Sequence, residues 1–334
     1  MHYNNGDKVA KVDLSKYEIR TDLVTDIIDN FDNKTKFNTN NYKKNNIKVE
    51  NINITSKESK IINKKQGSYS TIYFDDITDH KEFSNVLKIL IIEIKKMLAI
   101  EKIKEHDTVL FLGLGNESIT PDSLGPKVIK EVIITKHIYD LTNNLEKGFR
   151  ITSGIAPGVM GTTGIETSII IDGIIKKTKP NFIIVIDALA SSSVKRVGKT
   201  IQITNAGINP GSGVGNKRKE VSKEVFGIPV IAIGVPMVVD AITIVNDTIN
   251  FMSKYFANNL KNNKEKLTDK EMAYFLGAFG NLGEEEKKSL LFDVLTPIGY
   301  NQMVTPKEID FLAEKLSNLI AKGINKAIHK KYNI

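Results

Sequence analysis

The chain has 334 residues, of which 41% are hydrophobic, enough for one large α/β domain or two smaller ones. It contains no cysteine, which excludes disulfides, thiolate metal sites and a cysteine nucleophile. The net charge is +8, but only four of the 47 basic residues are arginine, and the lysines are scattered among acids. This pattern is typical of a solvated surface and argues against direct nucleic-acid binding.

Neither the start of the chain nor its most apolar segment predicts contact with a membrane. Residues 1–20 carry charges throughout, without the apolar core of a signal peptide. The most apolar helix candidate, Val86–Ile103, is interrupted by charged side chains, among them Lys88, Glu93, Lys95 and Lys96. We therefore expect a cytoplasmic protein.

The first third of the chain predicts a short helix, two strands and a long helix. Leu23–Asn30 favours the short helix, and the polar segment Asn38–Asn46 favours a surface loop. Ile47–Ile54 alternates apolar and polar residues with one slip in the middle, which predicts a strand with a bulge. Gly67–Phe74 predicts its hairpin partner. Apolar residues at helical spacing then predict an amphipathic helix over residues 83–105.

Two apolar runs predict strands buried on both faces of a parallel sheet, and an aspartate follows each run. Thr108–Leu112 leads through two glycines to Asp122, and Phe182–Ile186 leads directly to Asp187. Ligands and catalytic groups collect at the carboxyl ends of such strands, so neighbouring strands would bring both carboxylates over one crevice. For one aspartate alone, capping the following helix is an equal alternative. The pair favours a catalytic function.

Two glycine-rich loops predict sites where an extended peptide could approach the backbone. One loop lies within residues 152–167 and the other within residues 207–216. A capping box with Thr163 is the favoured interpretation of Glu166. The candidate substrate contacts in the two loops are Gly154, Gly158, Gly161, Glu166, Gly211 and Gly213.

The remaining elements complete the predicted architecture. Ile228–Val235 is a third buried strand and Val238–Tyr255 a helix, with Asp240 in its first turn, where a carboxylate suits the helix dipole. Residues from about 256 to 334 predict helices for packing and assembly. The alternation of strands and helices predicts an α/β fold with an open, mostly parallel central sheet and helices on both faces.

Cofactor motifs fail in detail, which leaves carboxylate chemistry. GLGNES at 113–118 lacks the third glycine of a dinucleotide-binding turn, and GSGVGNKRK at 211–219 lacks the spacing of a P-loop. The five histidines have no zinc-ligand spacing. We therefore expect no cofactor and no metal. Two aspartates that share a proton can act as general acid and general base on a water molecule.

Several long motifs resemble the germination proteases, the spore endopeptidases of spore-forming bacteria. The resemblance covers nearly the whole chain. It rests on RTDL at 20–23, GSYSTI at 67–72, LGLGN at 112–116, TPDSLGP at 120–126, ITSGIAPGVMGTTGIET at 151–167, IDALA at 186–190, PGSGVGNKRKE at 210–220, GIPVIAIGVP at 227–236 and VLTPIGYNQMVTPKEID at 294–310.

The resemblance implies a fold similar to that of hydrogenase maturation endopeptidases and a homotetrameric protease of the spore interior that degrades small acid-soluble, DNA-binding spore proteins. It implies a zymogen that processes itself between Asp22 and Leu23, with residues 1–22 as propeptide and 23–334 as a single peptidase domain. It also implies that Asp122 and Asp187 are the catalytic pair. Val24 and Asp26 depart from the family pattern after the processing bond.

Two rival functions remain open at this point. One is a metal-dependent maturation peptidase on the same fold, with carboxylates as ligands. The other is a nucleotide- or nucleic-acid-binding module, suggested by the glycine-rich loops and the net charge of +8. For a zymogen, we further expect the propeptide to lie across the crevice.

Overall fold

The computed structural model describes residues 21–29, 37–209, 220–260 and 277–333. These residues form two compact units. The larger unit holds the described residues up to Val238 and from Thr305 onward, and the smaller unit holds Val239–Val304. Both aspartates that the sequence singles out lie in the larger unit.

An open mixed sheet forms the centre of the larger unit and confirms the predicted α/β fold. Its strands are β1 (Asn38–Lys44), β2 (Ile47–Ile54), β3 (Gly67–Tyr73), β4 (Val109–Gly113), β5 (Thr152–Ile155), β6 (Phe182–Ser191), β7 (Thr200–Thr204) and β8 (Val230–Asp240), of which the last two residues belong to the smaller unit. Their spatial order is β1-β2-β3-β7-β8-β6-β4-β5. The strands β5, β4 and β6 run parallel, and the series β1-β2-β3-β7-β8 pairs antiparallel.

The helices of the described residues connect these strands. They are α1 (Val24–Asp29), α2 (Ser56–Ile62), α3 (His80–Ile100), α4 (Leu124–Glu131), α5 (Lys136–Thr142), α6 (Met160–Thr163), α7 (Thr167–Thr178), α8 (Lys223–Phe226), α9 (Ala241–Leu260), α10 (Glu284–Leu295) and α11 (Ile309–Ile328). Across the part of the chain that the structure describes, none of them is both long enough and apolar enough to pass through a bilayer.

Helices cover both faces of the sheet, as predicted. On one face, α3, α4 and α11 pack against alternate residues of β4 and β6, among them Phe111 and Ile184. On the other face, α7 packs through Ile171 against Leu112 and Ile183. Each fully buried side chain of this size stabilises the fold by about 1.5–3 kcal/mol, so the parallel strands contribute strongly to the stability of the unit.

Helix α3 has the predicted apolar face but begins earlier than expected. Its core-facing side chains are buried, including Val86, Leu90 and Ile94. The helix begins at His80 because the Asp79 side chain accepts a hydrogen bond from the Glu82 N–H and caps the first turn.

The prediction of a surface loop at Asn38–Asn46 is wrong, because these residues form strand β1 and a tight turn. Asn45 and Asn46 have φ values of 51° and 67°, a left-handed conformation that asparagine tolerates well. The seven residues of β1 are mostly exposed. Backbone pairing with β2 therefore forms this strand without an apolar pattern.

The bulge predicted in β2 is also wrong. The register with β3 runs without interruption from Val49 opposite Ile72 to Ile52 opposite Tyr69. The slip in the pattern arises because the strand buries one face first and the other face later: Val49 belongs to the core under α3, and Ile52 to the cluster around α1. The pairing of β2 with β3 is confirmed, although α2 lies between them.

Two predictions about helix starts have different outcomes. The capping box of Glu166 with Thr163 is wrong: α7 begins at Thr167 without a side-chain cap, and the Thr163 hydroxyl accepts from the Ile165 N–H instead. Asp240 does serve a helix start, since its Oδ1 accepts from the Thr243 N–H at 2.7 Å. It is, however, the last residue of β8 rather than part of α9.

The smaller unit is built around α9 and α10, which pack against each other. The last two residues of β8, Val239 and Asp240, pair antiparallel with the short strand β9 (Met303–Val304). This part of the chain contains the helical segment predicted from residue 256 onward, although α11 belongs to the larger unit.

Replacing Gly125 with alanine should destabilise the protein by about 3 kcal/mol or more. A Cβ atom there would lie 2.3 Å from the Leu114 carbonyl oxygen and 2.7 Å from that of Ile186, and backbone cannot move aside. Gly173→Ala is the matched control, because that glycine is exposed in α7 with nothing within 4 Å. We expect it to stabilise the helix by up to about 1 kcal/mol. Urea unfolding of both variants tests this; equal stabilities would contradict it.

Candidate active site

The carboxyl edge of the sheet is uneven where β4 and β6 run side by side. β4 ends at Gly113, which pairs with Ile186, and the Leu114 N–H still donates to the Ile186 carbonyl at 2.8 Å. β6 continues to Ser191, so the predicted strand end at Asp187 is wrong. Asp187 is instead the first residue of β6 beyond the end of β4, its neighbour on one side.

Asp187 is buried at this step in the sheet, with 4% of its surface exposed. Its side chain points to the same face of the sheet as those of Ile183 and Val185, which is the face that α7 covers. Its Oδ1 accepts a hydrogen bond from the Ala188 N–H at 2.9 Å.

Asp122 reaches the same edge through the loop after β4. It ends a single 3₁₀ turn, Thr120–Asp122, which contacts β6. The Asn116 N–H donates to the Asp122 carbonyl at 3.0 Å and to its carboxylate at 2.8 Å. Gly115 makes this close approach possible, because its φ is 112° and a Cβ atom there would lie 2.0 Å from the Asp122 carbonyl oxygen. The loop therefore holds the partly buried Asp122 beyond the carboxyl end of β4 and next to β6.

Asp22 lies at this edge as well. Its N–H donates to the Ala190 carbonyl at 3.0 Å, and its carboxylate accepts from the Ala190 N–H at 2.8 Å. Backbone groups point to the same side at every second residue of a strand, so Ala190 faces the side on which Ile186 bonds to β4. Asp22 thus takes the place beside β6 that β4 leaves open. The following residue, Leu23, is completely buried.

A buried carboxylate anchors the segment that follows. Asp26, 1% exposed, accepts hydrogen bonds through Oδ2 from the Thr21 hydroxyl at 2.5 Å, the Ser191 hydroxyl at 2.8 Å and the Ser192 N–H at 2.7 Å. Its other oxygen pairs with Arg196. Burial alone would lower the pKa of Arg196, but Asp26 and the neighbouring Asp29 raise it overall. The guanidinium is therefore held in its charged form.

Lys64 completes the surroundings of Asp22. Its Nζ donates to the carbonyl oxygens of Thr21 at 3.1 Å and Asp22 at 3.4 Å. Burial lowers the pKa of Lys64, and the carboxylates of Asp22 and Asp26 act in the opposite direction. Lys64 lies between α2 and β3, in a part of the sequence that carried no functional prediction.

The predicted substrate-loop residues lie in different surroundings. Gly154 is in β5, where a Cβ atom would lie 2.9 Å from Ile134, so close packing accounts for glycine there. Gly158 has a φ of 74°, and its carbonyl accepts from the Thr167 hydroxyl. Gly161 is exposed and Glu166 partly exposed. Gly211 and Gly213 lie outside the described residues.

Two further observations concern other catalytic chemistries, namely clusters of potential metal ligands and the position of a buried histidine. In the described ranges, no three histidine, aspartate or glutamate side chains come together as metal ligands would. The buried His329 accepts through Nδ1 from the Arg150 N–H, at the amino end of the parallel strands, and is therefore remote from the carboxyl edge. Burial, together with Arg150, lowers the pKa of His329 to about 4.

Comparison of the sequence with known proteins shows the family to which this chain belongs. The sequence profile of the germination proteases matches residues 19–334. The chain is 43% identical to a germination protease from Geobacillus sp. (strain WCH70), over 96% of each chain, and 44% identical to one from Bacillus cereus (strain ATCC 10987 / NRS 248), over 95% of each. The chain belongs to the germination protease family, and it is therefore a protease.

A solved structure also matches in part. It is the NiFe hydrogenase maturation protease HycI from Thermococcus kodakarensis KOD1, with a TM-score of 0.31 and 14% identity. The match covers 70% of this chain and 98% of HycI.

Replacing Asp26 with alanine should lower the free energy of unfolding by about 3–5 kcal/mol, because it leaves Arg196 buried without its inner partner. Asp29→Ala is the matched control: Asp29 pairs with the same guanidinium, but its side chain is 60% exposed, and its loss should cost less than about 1 kcal/mol. Denaturant-induced unfolding of the wild type and the two variants measures these free energies. Similar losses in both would show that Asp26 does not anchor the segment.

Proposed function

We propose that the protein is an aspartate-dependent endopeptidase that begins the degradation of small acid-soluble, DNA-binding spore proteins during germination. In this proposal the protein is made as a self-processing zymogen and acts in the spore interior as a homotetramer. The observation that carries the catalytic part is the position of Asp122 and Asp187 at the carboxyl edge of β4 and β6, in a chain of a protease family.

The two carboxylates provide general acid and general base catalysis. The aspartate that is ionised takes a proton from water as the water attacks the peptide carbonyl. The other, which is protonated, gives its proton to the leaving amide nitrogen. The limited exposure of both residues at one edge of the sheet supports this division, because burial disfavours the charged form of a carboxyl group.

In this proposal, an extended substrate binds along the side of β6 that β4 leaves uncovered beyond Ile186. Strand addition to an exposed sheet edge uses backbone hydrogen bonds for binding. Asp22 already engages both backbone groups of Ala190, close along β6 to Asp187. Residues 21–23 therefore compete with a substrate for the same backbone groups, which gives the zymogen a physical basis.

Asp122→Asn and Asp187→Asn should each lower the rate of substrate cleavage by about 10²–10⁴-fold or more, because an amide cannot accept or donate the proton. Asp172→Asn is the control, since that aspartate pairs with Lys176 on the surface of α7 and should not affect the rate. Cleavage of a purified small acid-soluble spore protein, followed by gel and mass spectrometry, measures the effect. Wild-type activity in either variant would remove that residue from the site.

The same assay with EDTA tests the rival metal-dependent peptidase. We expect chelation to leave the rate unchanged. A loss of activity that added divalent metal restores would replace the acid–base mechanism with a metal-assisted one, in which the carboxylates act as ligands.

Removing residues 1–22 should raise activity towards added substrate, because it frees the backbone groups of Ala190. Cleavage rates of the truncated and full-length chains, at equal concentrations of folded protein, provide the comparison. The full-length chain carrying Asp122→Asn serves as the blank. Equal rates with and without the segment would refute a blocking role.

A further inference from the structure

The side chain of Lys64 donates a hydrogen bond to the carbonyl group of Asp22, in the peptide bond between Asp22 and Leu23 that is proposed for processing. Its Nζ is 3.4 Å from the Asp22 oxygen and 3.1 Å from the Thr21 oxygen. Cleavage between Asp22 and Leu23 begins with attack on the Asp22 carbonyl carbon. The ammonium group of Lys64 is therefore next to the oxygen on which negative charge develops.

Other contacts hold the same peptide bond from both ends. The Asp22 N–H is bonded to the Ala190 carbonyl, and the Leu23 N–H donates to the Thr21 hydroxyl at 3.2 Å. That hydroxyl in turn donates to the buried Asp26 at 2.5 Å. With Leu23 completely buried, the bond cannot easily turn away from Lys64.

We propose that Lys64 is a catalytic residue of self-processing, which stabilises the oxyanion formed on the Asp22 carbonyl. The inference rests on the proposed function. Water adds to the carbonyl carbon and gives its proton to the ionised aspartate, while the carbonyl electron pair moves to the oxygen beside the ammonium. When the pair returns, the bond to the Leu23 nitrogen breaks, and this nitrogen takes the proton of the second aspartate.

Lys64 supplies what a pair of carboxylates lacks. Asp122 and Asp187 can move protons, but they carry no positive charge that would attract an oxyanion. A charge–charge interaction is much stronger in partly buried surroundings than in water. The burial that lowers the pKa of Lys64 also strengthens its attraction for the developing charge.

The neighbouring lysine has a different set of partners. Lys65 pairs with Glu220 at 2.6 Å and with Glu224 at 3.0 Å. It is adjacent in sequence and of the same type, but its hydrogen bonds go to carboxylates rather than to the processing bond. Lys65 is therefore a matched control for Lys64.

The test measures self-processing of the full-length chain, as the rate at which the product beginning at Leu23 appears by mass spectrometry. Removing one oxyanion donor typically lowers a rate by about 10²–10³-fold. We expect a loss of this order in Lys64→Met and Lys64→Gln. Lys64→Arg, which keeps the charge, should recover part of the rate, and Lys65→Met should match the wild type. Thermal melting of each variant shows that it is folded.

The outcomes separate this inference from the proposed function. A folded Lys64→Met or Lys64→Gln variant that processes at the wild-type rate overturns the role of Lys64. Equal losses in the Met, Gln and Arg variants would also overturn it, because charge would then not matter. Asp122→Asn and Asp187→Asn are run alongside. If both of these variants process normally, the proposed function itself is wrong, whatever the Lys64 variants show.

Discussion

The site depends on one steric constraint, the contact between the start of α4 and the end of β4. Gly113 and Gly125 approach so closely that a Cβ atom on Gly113 would lie 2.3 Å from the Gly125 carbonyl oxygen. The start of helix α4 therefore packs directly against the backbone of β4 at the residue where this strand ends. β6 runs on beyond β4, with Asp187 at the step and with Asp22, rather than β4, bonded to the backbone of Ala190.

Much of this arrangement could be predicted from the sequence, because continuous apolar runs reveal buried parallel strands. The position of Asp122 in the loop after β4, and of Asp187 directly after the aliphatic run of β6, followed from that pattern. The length of β6 did not, because the pattern changes from large aliphatic residues to alanine and serine after Asp187. Strand β1 was missed because its residues are polar, and its pairing comes from the backbone.

The contacts around Asp22 could not be predicted, since they join residues that are far apart in the sequence. Asp26 and Arg196 are separated by 170 positions, and nothing in the composition of either segment indicates the pairing. The sequence marks Asp26 only as a departure from the family pattern. The structure shows that the carboxylate retained at this position binds Arg196, Ser191 and Ser192. Long-range polar contacts of this kind require the fold to be known first.

Strand β1 also bears on how the molecule behaves at high concentration. It ends the described sheet, so one row of its N–H and C=O groups has no neighbouring strand in the sheet order. An apolar strand in this position would invite edge-to-edge stacking of copies into fibrils. The side chains of β1 are instead polar and mostly exposed, and Lys43 and Lys44 stand at its end. Their hydration and mutual repulsion protect the margin of the sheet against aggregation.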